Sequence, residues 1–203
     1  MQYWYALKIF FNKVFDWETL LQAKGLETYL AVEKVPLKGP DYLSAKKKLA
    51  ESPNYADPRL VVEGLQISRR KPLVSSLLFV KASREEVLCV QELLNERDGI
   101  GRVRGFIYRN AEKNGFATIP DKEMESFRLV VEAGAGGLEL FGDEDFSRFE
   151  KGSKVRVKEG PLKGAEGYIK RIRKDRRLLV SVHGVIAVAT SFIPFENLEI
   201  IRE

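Results

Sequence analysis

Along the first 130 residues, the spacing of apolar positions switches between the period of a strand and the period of a helix. Alternating apolar positions over 3–10 predict a strand. Apolar residues at helical spacing predict a helix over 13–24, with Asn12 as its cap and Gly25 after its last turn. The same reasoning predicts further strands over 26–35, 60–67, 77–81 and 102–108.

Two later helices have their own start signals. Ser83 and Glu86 have the spacing of a capping box, which predicts a helix that ends near Arg97. Cys89 lies inside that helix among core-like positions, so we expect it to be a buried structural thiol. Pro120 predicts the start of another helix. The apolar side of this last helix consists of Met124, Phe127 and Val131.

The order of these elements is strand, helix, strands, helix, strand. It predicts an α+β fold whose first domain, residues 1–131, is a ferredoxin-like α/β sandwich. In such a sandwich two helices cover one face of an antiparallel sheet and the other face can stay open. Residues 36–59, with Asp41 as a possible cap, predict a helix or lobe inserted between strands.

The pattern changes after residue 150. Short alternating or β-branched runs follow one another there, separated by turn residues, and no helix is needed. Five short strands predict a small closed β-barrel over 148–203, of the SH3-like kind. Before it, 132–147 is acidic and glycine-rich and follows neither period. We expect this linker to be the only connection between the two domains.

The composition narrows the class of protein. The chain has 203 residues, of which 44% are hydrophobic and 31% charged, so it can bury a core. No apolar run approaches the roughly 20 residues of a membrane helix, and the first residues lack the pattern of a signal peptide. One cysteine and one histidine, His183, exclude an intrachain disulfide and a four-ligand Cys/His metal site. We expect a cytoplasmic protein with no metal and no cofactor.

The net charge of +5 is unevenly distributed. Residues 1–131 carry 21 Lys and Arg against 17 Asp and Glu, and 151–203 carry twelve bases against six acids. Between them, 132–150 carry six acids against one base, and we interpret Asp143, Glu144 and Asp145 as solvated residues rather than a cation site. The two basic segments favour contact with a polyanion such as nucleic acid, although a solvated surface has the same composition.

One segment of the predicted barrel carries a specific motif. Residues 152–169 have the sequence Gly-Ser-Lys-Val-Arg-Val-Lys-Glu-Gly-Pro-Leu-Lys-Gly-Ala-Glu-Gly-Tyr-Ile, with Val155 and Val157 pointing inward. Gly160 turns the chain, and Gly167 allows a close approach that a side chain would block. The segment resembles the KOW motif of NusG-like transcription factors and of several ribosomal proteins.

The first domain decides between these two groups. Its opening Met-Gln-Tyr-Trp-Tyr-Ala-Leu over 1–7 is similar to the first strand of the NusG N-terminal domain, and 103–107 and 117–123 are similar to its later strand and exit. The opening residues and the short insertion resemble most the specialised RfaH- and UpxY-like antiterminators. The resemblance covers nearly the whole chain.

The resemblance implies a transcription elongation or antitermination factor and not an enzyme. It would bind the clamp helices of RNA polymerase and suppress pausing or termination, in operons for surface polysaccharides. The family's clamp-binding strand aligns with 74–80, where an aliphatic residue and two serines replace the family's tyrosine and Pro-Gly pair. Since alternation along a strand exposes one face only, the sequence leaves open which residues are core. The implied polymerase-binding residues are Val74, Leu77, Phe79, Phe106 and Ile119.

The family also implies contacts with non-template DNA or nascent RNA. In the first domain the basic residues at the matching positions are Lys13, Lys24, Arg97 and Arg102. In the second domain six bases lie within eight residues around a predicted hairpin turn, without aromatic residues between them, so they would bind phosphates with little selectivity. These six are Lys170, Arg171, Arg173, Lys174, Arg176 and Arg177.

The family's barrel docks Rho or a ribosomal protein through a loop that here consists of Val182, His183, Gly184 and Val185. The glycine is retained, but the family's aromatic and arginine residues are absent. We therefore expect weaker binding of Rho and of the ribosomal protein. His183 lacks an identifiable catalytic partner. The alternative to a polymerase factor is a KOW-containing RNA-binding or ribosome-associated protein.

Overall fold

A computed structural model describes residues 1–51, 57–96, 102–133, 138–141, 153–172, 175–182 and 185–201 of the chain. Over these residues the fold is mixed α/β, with four helices and several antiparallel strand pairs. The helices are α1 (Val14–Ala23), α2 (Gly39–Glu51), α3 (Arg84–Asn95) and α4 (Asp121–Ala133). The strands are β1 (Tyr3–Ile9), β2 (Glu27–Tyr29), β3 (Val32–Pro36), β4 (Leu60–Glu63), β5 (Gln66–Pro72), β6 (Leu77–Ala82), β7 (Gly105–Ile107), β8 (Glu139–Phe141), β9 (Lys154–Val157), β10 (Glu166–Ile172), β11 (Asp175–Val182), β12 (Ile186–Phe192) and β13 (Leu198–Ile200).

The chain divides into two compact units. The first unit comprises Met1–Ala6, Lys81–Leu88 and Ile107–Glu203, and the second comprises Leu7–Val80 and Cys89–Phe106. Proximity of segments does not show which segments fold independently, so the domain boundaries at 1–131, 132–147 and 148–203 stay a prediction. Among the described residues, no helix is both long and apolar enough to cross a membrane.

One sheet has four strands in the order β2-β6-β1-β7. Strands β1 and β7 are antiparallel, because the Phe10 N–H donates to the Arg104 carbonyl at 2.9 Å and the Tyr108 N–H donates to the Ala6 carbonyl at 3.0 Å. A Cβ on Gly105 would stand 2.2 Å from the Lys8 carbonyl oxygen, so glycine is required at this strand crossing. The predicted strand over 102–108 is confirmed for its central part.

The helix start signals differ in outcome. The capping box is confirmed, since the Ser83 N–H donates to Glu86 at 2.6 Å and the Glu86 N–H donates to the Ser83 hydroxyl at 3.2 Å. The cap predicted at Asn12 is wrong: Lys13 occupies the cap position of α1 and makes no side-chain cap bond. The reason is that Asn12 has a φ of 54°, which places it in a left-handed turn before the helix.

The prediction for Cys89 is also wrong, because its side chain is exposed. Val87 and Val90 are buried, whereas Leu88, next to Cys89, is half exposed. A helix that buries these two positions turns the intervening positions 88 and 89 toward solvent. Helical spacing defines a buried stripe, and Cys89 lies beside this stripe rather than on it.

The insertion predicted over 36–59 contains α2, which begins at Gly39, so Asp41 lies in its first turn rather than at its cap. The strand predicted over 26–35 is divided between two sheets: β2 joins the four-stranded sheet and β3 joins a three-stranded sheet of order β3-β5-β4. Leu30 and Ala31, between β2 and β3, are buried, which explains why apolar content continues through the break.

A buried ion pair connects β5 to α1. The two carboxylate oxygens of Glu18 each accept a hydrogen bond of 2.8 Å from the guanidinium of Arg70 on β5. Arg70 also donates to the Pro58 carbonyl at 2.8 Å and lies over the ring of Phe15 at 5.3 Å. Only 7% of the Glu18 side chain and 19% of the Arg70 side chain are exposed. Such a pair fixes the helix and the strand in one arrangement.

The C-terminal strands form an antiparallel sheet of order β13-β9-β10-β11-β12-β8. A Cβ on Gly167 would stand 2.3 Å from the Leu179 carbonyl oxygen, which confirms the close approach predicted for this glycine. Gly160 and Gly164 have φ values of 86° and 92°. These left-handed conformations are the ones that a tight turn between the strands favours at glycine. Val155 and Val157 are buried as predicted.

One strand of this sheet, β8, comes from the segment predicted as a linker. Its register places Phe141 opposite Ala187 on β12. The Phe141 side chain packs on the buried residues Leu179, Ala187 and Ala189. Three residues in a glycine-rich segment are too few to show a recognisable period, and only pairing with β12 makes them a strand.

Helix α4 packs against β10, β11 and β12 of the same sheet. The predicted apolar side is confirmed, with Met124, Phe127 and Val131 all buried. The Ser126 hydroxyl, also buried, accepts a hydrogen bond of 3.0 Å from the Glu166 N–H. Helix α4, which the prediction assigns to the first domain, therefore packs on the C-terminal strands.

Glu166 carries a charged cluster at this contact. Its carboxylate accepts hydrogen bonds from Lys122 at 2.8 Å and from Arg156 at 2.6 and 2.8 Å. Burial by itself raises the pKa of the Glu166 carboxyl, but the two cations outweigh this effect and hold the pKa below its ordinary value. The ionised form of Glu166 therefore stabilises the packing of α4 on the sheet.

Candidate functional site

A groove of about 300 Å³ lies where β1 ends and α1 begins. Its floor and walls are mainly aromatic or aliphatic, and its rim is basic. We call it the aromatic groove. Its lining residues are Phe10, Phe11, Lys13, Asp16, Trp17, Leu20, Arg102 and Arg104.

Unusual backbone geometry forms the groove. Phe11 and Asn12 have φ values of 60° and 54°, a left-handed conformation that side chains other than glycine rarely adopt. This turn leaves 47% of Phe11 exposed. Phe10 stands edge-on to both Phe11 and Phe106, with ring centroids 6.0 Å apart in each pair. Strained backbone that holds an aromatic ring in solvent is typical of a functional surface.

Cations surround these rings. The Arg102 guanidinium lies 4.0 Å from the centroid of the Phe11 ring, within range of a cation–π interaction. Lys13 forms an ion pair of 2.9 Å with Asp16, and Arg104 forms one of 2.8 Å with Glu96. The groove therefore presents apolar ring faces beside positive charge, an arrangement suited to an anionic ligand that carries flat rings.

The residues predicted to bind polymerase do not form one exposed patch. Leu77, Phe79 and Ile119 are at most 5% exposed, and they pack in the interior. The reason is that β6 is buried at four consecutive positions, so both of its faces are covered. Phe106 is 42% exposed beside the aromatic groove, and Val74 is half-buried. In this conformation only the last two can reach a partner.

The basic residues predicted in the first domain are partly brought together. Lys13 and Arg102 both line the aromatic groove. Lys24 lies at the other end of the ten-residue helix α1, about 15 Å away along the helix axis. Arg97 lies outside the described residues.

The basic hairpin predicted in the second domain is confirmed at the level of the backbone. Strands β10 and β11 pair with Lys170 opposite Arg177 and Arg171 opposite Arg176. Arg173 and Lys174 lie outside the described residues.

Arg177 differs from the prediction of a phosphate contact. It lies within 3.4 Å of Glu139 on β8, and its side chain is 16% exposed. Its Nε is buried and has no hydrogen-bond partner in the described part of the chain. Arg177 faces the inside because β8, which the sequence did not predict, supplies a carboxylate there.

The two described residues of the predicted docking loop are also buried. Val182 and Val185 are buried, and the Val185 N–H donates to the Val182 carbonyl at 3.0 Å to close a turn. His183 and Gly184 lie outside the described residues, as do Asp143, Glu144 and Asp145. Among the described residues, no three His, Cys, Asp or Glu side chains are grouped to hold a metal.

Sequence reasoning missed the aromatic residues of the groove. Phe10 and Phe11 are adjacent, and in a strand two adjacent side chains point to opposite faces. One of two neighbouring aromatics at a strand end must therefore face away from the core, which is a usable signal. Trp17 and Leu20 look like ordinary core positions of α1, and no pattern in the sequence places Arg104 beside them.

No protein-family model matches the chain. No curated protein matches it in sequence either. Among solved structures, the chain is similar to NusG of Thermotoga maritima, in a structure that concerns the interaction of its domains. The identity is 14%, the TM-score is 0.40, and the match covers all of this chain and 98% of that chain. The function proposed below therefore depends on the residues of this chain and on the aromatic groove.

Proposed function

We propose that the protein is a NusG-like transcription elongation or antitermination factor, which binds RNA polymerase and nucleic acid and catalyses no reaction. The motifs over 1–7, 103–107 and 152–169 support this proposal. Without the inserted strands β3, β4 and β5, the sheet has the chain order second-third-first-fourth, the order of a ferredoxin-like sandwich. We propose that the C-terminal strands form the SH3-like KOW barrel.

The aromatic groove is the observation that carries the nucleic-acid part of this function. Bases stack on aromatic faces with little regard to sequence, and phosphates bind to nearby cations. Phe11 offers an exposed ring, and Lys13 and Arg102 offer charge within the same groove. Single-stranded DNA or nascent RNA is the ligand that combines the two requirements.

Contact with polymerase is proposed through Phe106 and Val74. Phe106 has an exposed ring next to the groove, so polymerase and an emerging strand could be bound side by side. Leu77, Phe79 and Ile119 are buried and would then be core residues rather than polymerase contacts. A bound factor suppresses pausing only as far as it binds the elongating state of the polymerase more tightly than the paused state.

The test is recovery of core RNA polymerase on the immobilised full-length protein, followed by a pausing assay in vitro. Phe106→Ser is expected to reduce polymerase recovery at least about tenfold, because an apolar interface ring is removed. Leu65→Ser is the matched control, since Leu65 is 93% exposed on the turn between β4 and β5. Equal recovery by both variants would contradict the polymerase contact.

The alternative function is an RNA-binding or ribosome-associated protein, and the basic register of β10 and β11 favours it. Recovery of ribosomal RNA without polymerase would decide for this alternative. The same fractions should be probed for Rho and for ribosomal proteins. We expect little of either, because Val182 and Val185 of the corresponding loop are buried.

A further inference from the structure

Three polar residues of helix α2 border a cavity beside the three-stranded sheet. Asp41, Ser44 and Lys48 recur every three or four residues and so share one face of the helix. All three line a cavity of about 320 Å³, whereas Leu43 is 65% exposed. Ala45, the buried residue of α2, lines the same wall of the cavity, and the three polar side chains themselves are exposed to solvent. We call the cavity the insert pocket.

The opposite wall of the insert pocket is also charged. Arg59 contributes from the turn before β4, Leu60 from the first position of β4, and Arg69 from β5. Leu60 and Arg69 are directly paired in the sheet, which fixes these positions side by side. Three cationic residues therefore border one cavity together with two carboxylates, Asp41 and Asp57.

Both carboxylates are already engaged. Asp41 lies 3.7 Å from the Arg69 guanidinium, and Asp57 accepts a hydrogen bond of 2.9 Å from the Arg59 backbone N–H. The side chains of Lys48 and Arg59 form no ion pair with any described residue. Positive charge on two elements thus remains available to a ligand in the cavity.

We propose that the insert pocket binds a phosphate monoester carried by a small hydroxylated molecule, such as a sugar phosphate or a nucleotide. A dianionic phosphate matches Lys48 and the planar guanidinium of Arg59. The Ser44 hydroxyl donates to the same group, and the aspartates accept from hydroxyls of the carrier. The volume lies in the range of small-molecule sites. The proposal does not depend on the function proposed above.

The full-length protein is titrated by calorimetry with ribose 5-phosphate, adenosine 5′-monophosphate, inorganic phosphate and unphosphorylated ribose, at constant ionic strength. Saturable binding of a monoester with a Kd at or below about 1 mM is expected, and none of ribose. Equal affinity for both monoesters identifies the sugar phosphate as the recognised part. A higher affinity for adenosine 5′-monophosphate than for ribose 5-phosphate shows that the base is bound as well. Absence of saturable binding by both monoesters overturns the proposal.

Matched variants test the location. Lys48→Gln and Arg59→Gln are each expected to weaken monoester binding about tenfold or more, because a charged hydrogen-bond donor is lost. Lys48→Arg keeps the charge and should retain binding. Lys46→Gln makes the same charge change on α2 outside the pocket lining and should stay within about twofold of the wild type. Equal losses in Lys46→Gln and Lys48→Gln overturn the proposal.

A titration with a single-stranded oligonucleotide tests whether the insert pocket binds a nucleic-acid backbone instead of a small ligand. If it binds more tightly than either monoester and its binding depends on Lys48 and Arg59, the cavity contacts a nucleic-acid backbone and the proposal is overturned. If its binding is unchanged in both variants, the small-ligand assignment stands. Both cationic side chains are on the surface, so far-UV circular dichroism should show folded variants.

Discussion

The aromatic groove and the insert pocket have nearly the same volume, about 300 and 320 Å³, and opposite linings. The groove is built from phenylalanine rings with cations at its rim. The pocket is built from exposed polar residues of one helix and from two arginines, one in the turn before β4 and one on β5. Equal size with different chemistry implies different ligands: flat rings stack in the first, and a compact anion binds in the second.

The comparison also shows how each lining arises. In the groove, a left-handed turn at Phe11 exposes a residue type that normally lies in a core. In the pocket, exposed polar residues of α2 stand across a cavity from two exposed arginines. The groove depends on a local departure from the usual apolar-inside arrangement, whereas the pocket consists of charged residues at the surface. The two share no lining residue, so a substitution in one lining should leave the other unaffected.

The largest effect is expected from Glu18→Gln, which acts on both cavities. Glu18 lies on α1 with groove residues Trp17 and Leu20, and its partner Arg70 follows the pocket residue Arg69 on β5. Removing the carboxylate leaves a largely buried guanidinium charge, at a cost of about 3 kcal/mol. A fall in Tm of about 6–12 °C is expected by calorimetry, with weaker binding at both sites.

Its control is Lys47→Gln, which breaks an exposed ion pair of 3.6 Å with Glu51 on α2. Exposed pairs of this kind contribute about 0.5 kcal/mol or less. Equal melting temperatures for the two variants would show that the Glu18–Arg70 pair does not hold the cavities in place.

The next largest effect is expected from Phe11→Ala, which acts on the groove alone. Loss of one stacking surface should weaken binding of single-stranded DNA about tenfold or more, measured by fluorescence anisotropy. Binding of phosphate monoesters should be unchanged. Phe116→Ala is the control, because Phe116 also lies under an arginine, Arg109, at 5.7 Å, but outside the groove. A matching loss in the control would remove Phe11 from the groove's function.

Arg102→Gln should have a smaller effect of a different kind. One phosphate contact fewer should lower the salt dependence of single-strand binding by about 0.7 in the slope of log K against log salt. Affinity should fall about equally for all sequences. The comparison variant is Arg109→Gln, which removes a positive charge elsewhere. If both variants keep the wild-type slope, Arg102 does not contact phosphate.

The smallest effect is expected in the other unit, where acid should loosen α4 rather than either cavity. The lowered pKa of Glu166 means that its contribution to stability is complete above the ordinary pKa of a glutamate. The contribution is lost as the pH falls through the lowered value. Glu166→Gln should therefore lower Tm by at most about 3 °C at pH 7 and by less in acid. A difference that grows in acid would contradict this assignment.

Much of the fold could be predicted because its signals are local. The alternation in β1, the capping box of α3, the apolar side of α4 and the close approach at Gly167 each depend on a few neighbouring residues and on backbone sterics. Strand β8 could not be predicted, since three residues become a strand only when Phe141 finds its partners on β11 and β12. Burial of Leu77 and Phe79 likewise depends on what covers β6.

The site could be predicted only in part, for the same reason. Lys13 and Arg102 were identified as basic residues, but the 88 positions between them gave no indication that they meet in one groove. The groove depends on the left-handed turn at Phe11. Sequence patterns point to such turns mainly at glycines, so a left-handed phenylalanine gives no recognisable signal. The sequence predicts a helix or lobe over 36–59, but it cannot show that Asp41, Ser44 and Lys48 border a cavity, because the other wall comes from β4 and β5.

The exposed position of Cys89 has a practical consequence. It is the single cysteine of the chain and lies on the solvent side of α3. A maleimide dye will therefore attach at one defined point of the natural protein, without any engineered substitution. Energy transfer from that dye to a labelled nucleic acid strand or polymerase would then report where each partner is bound.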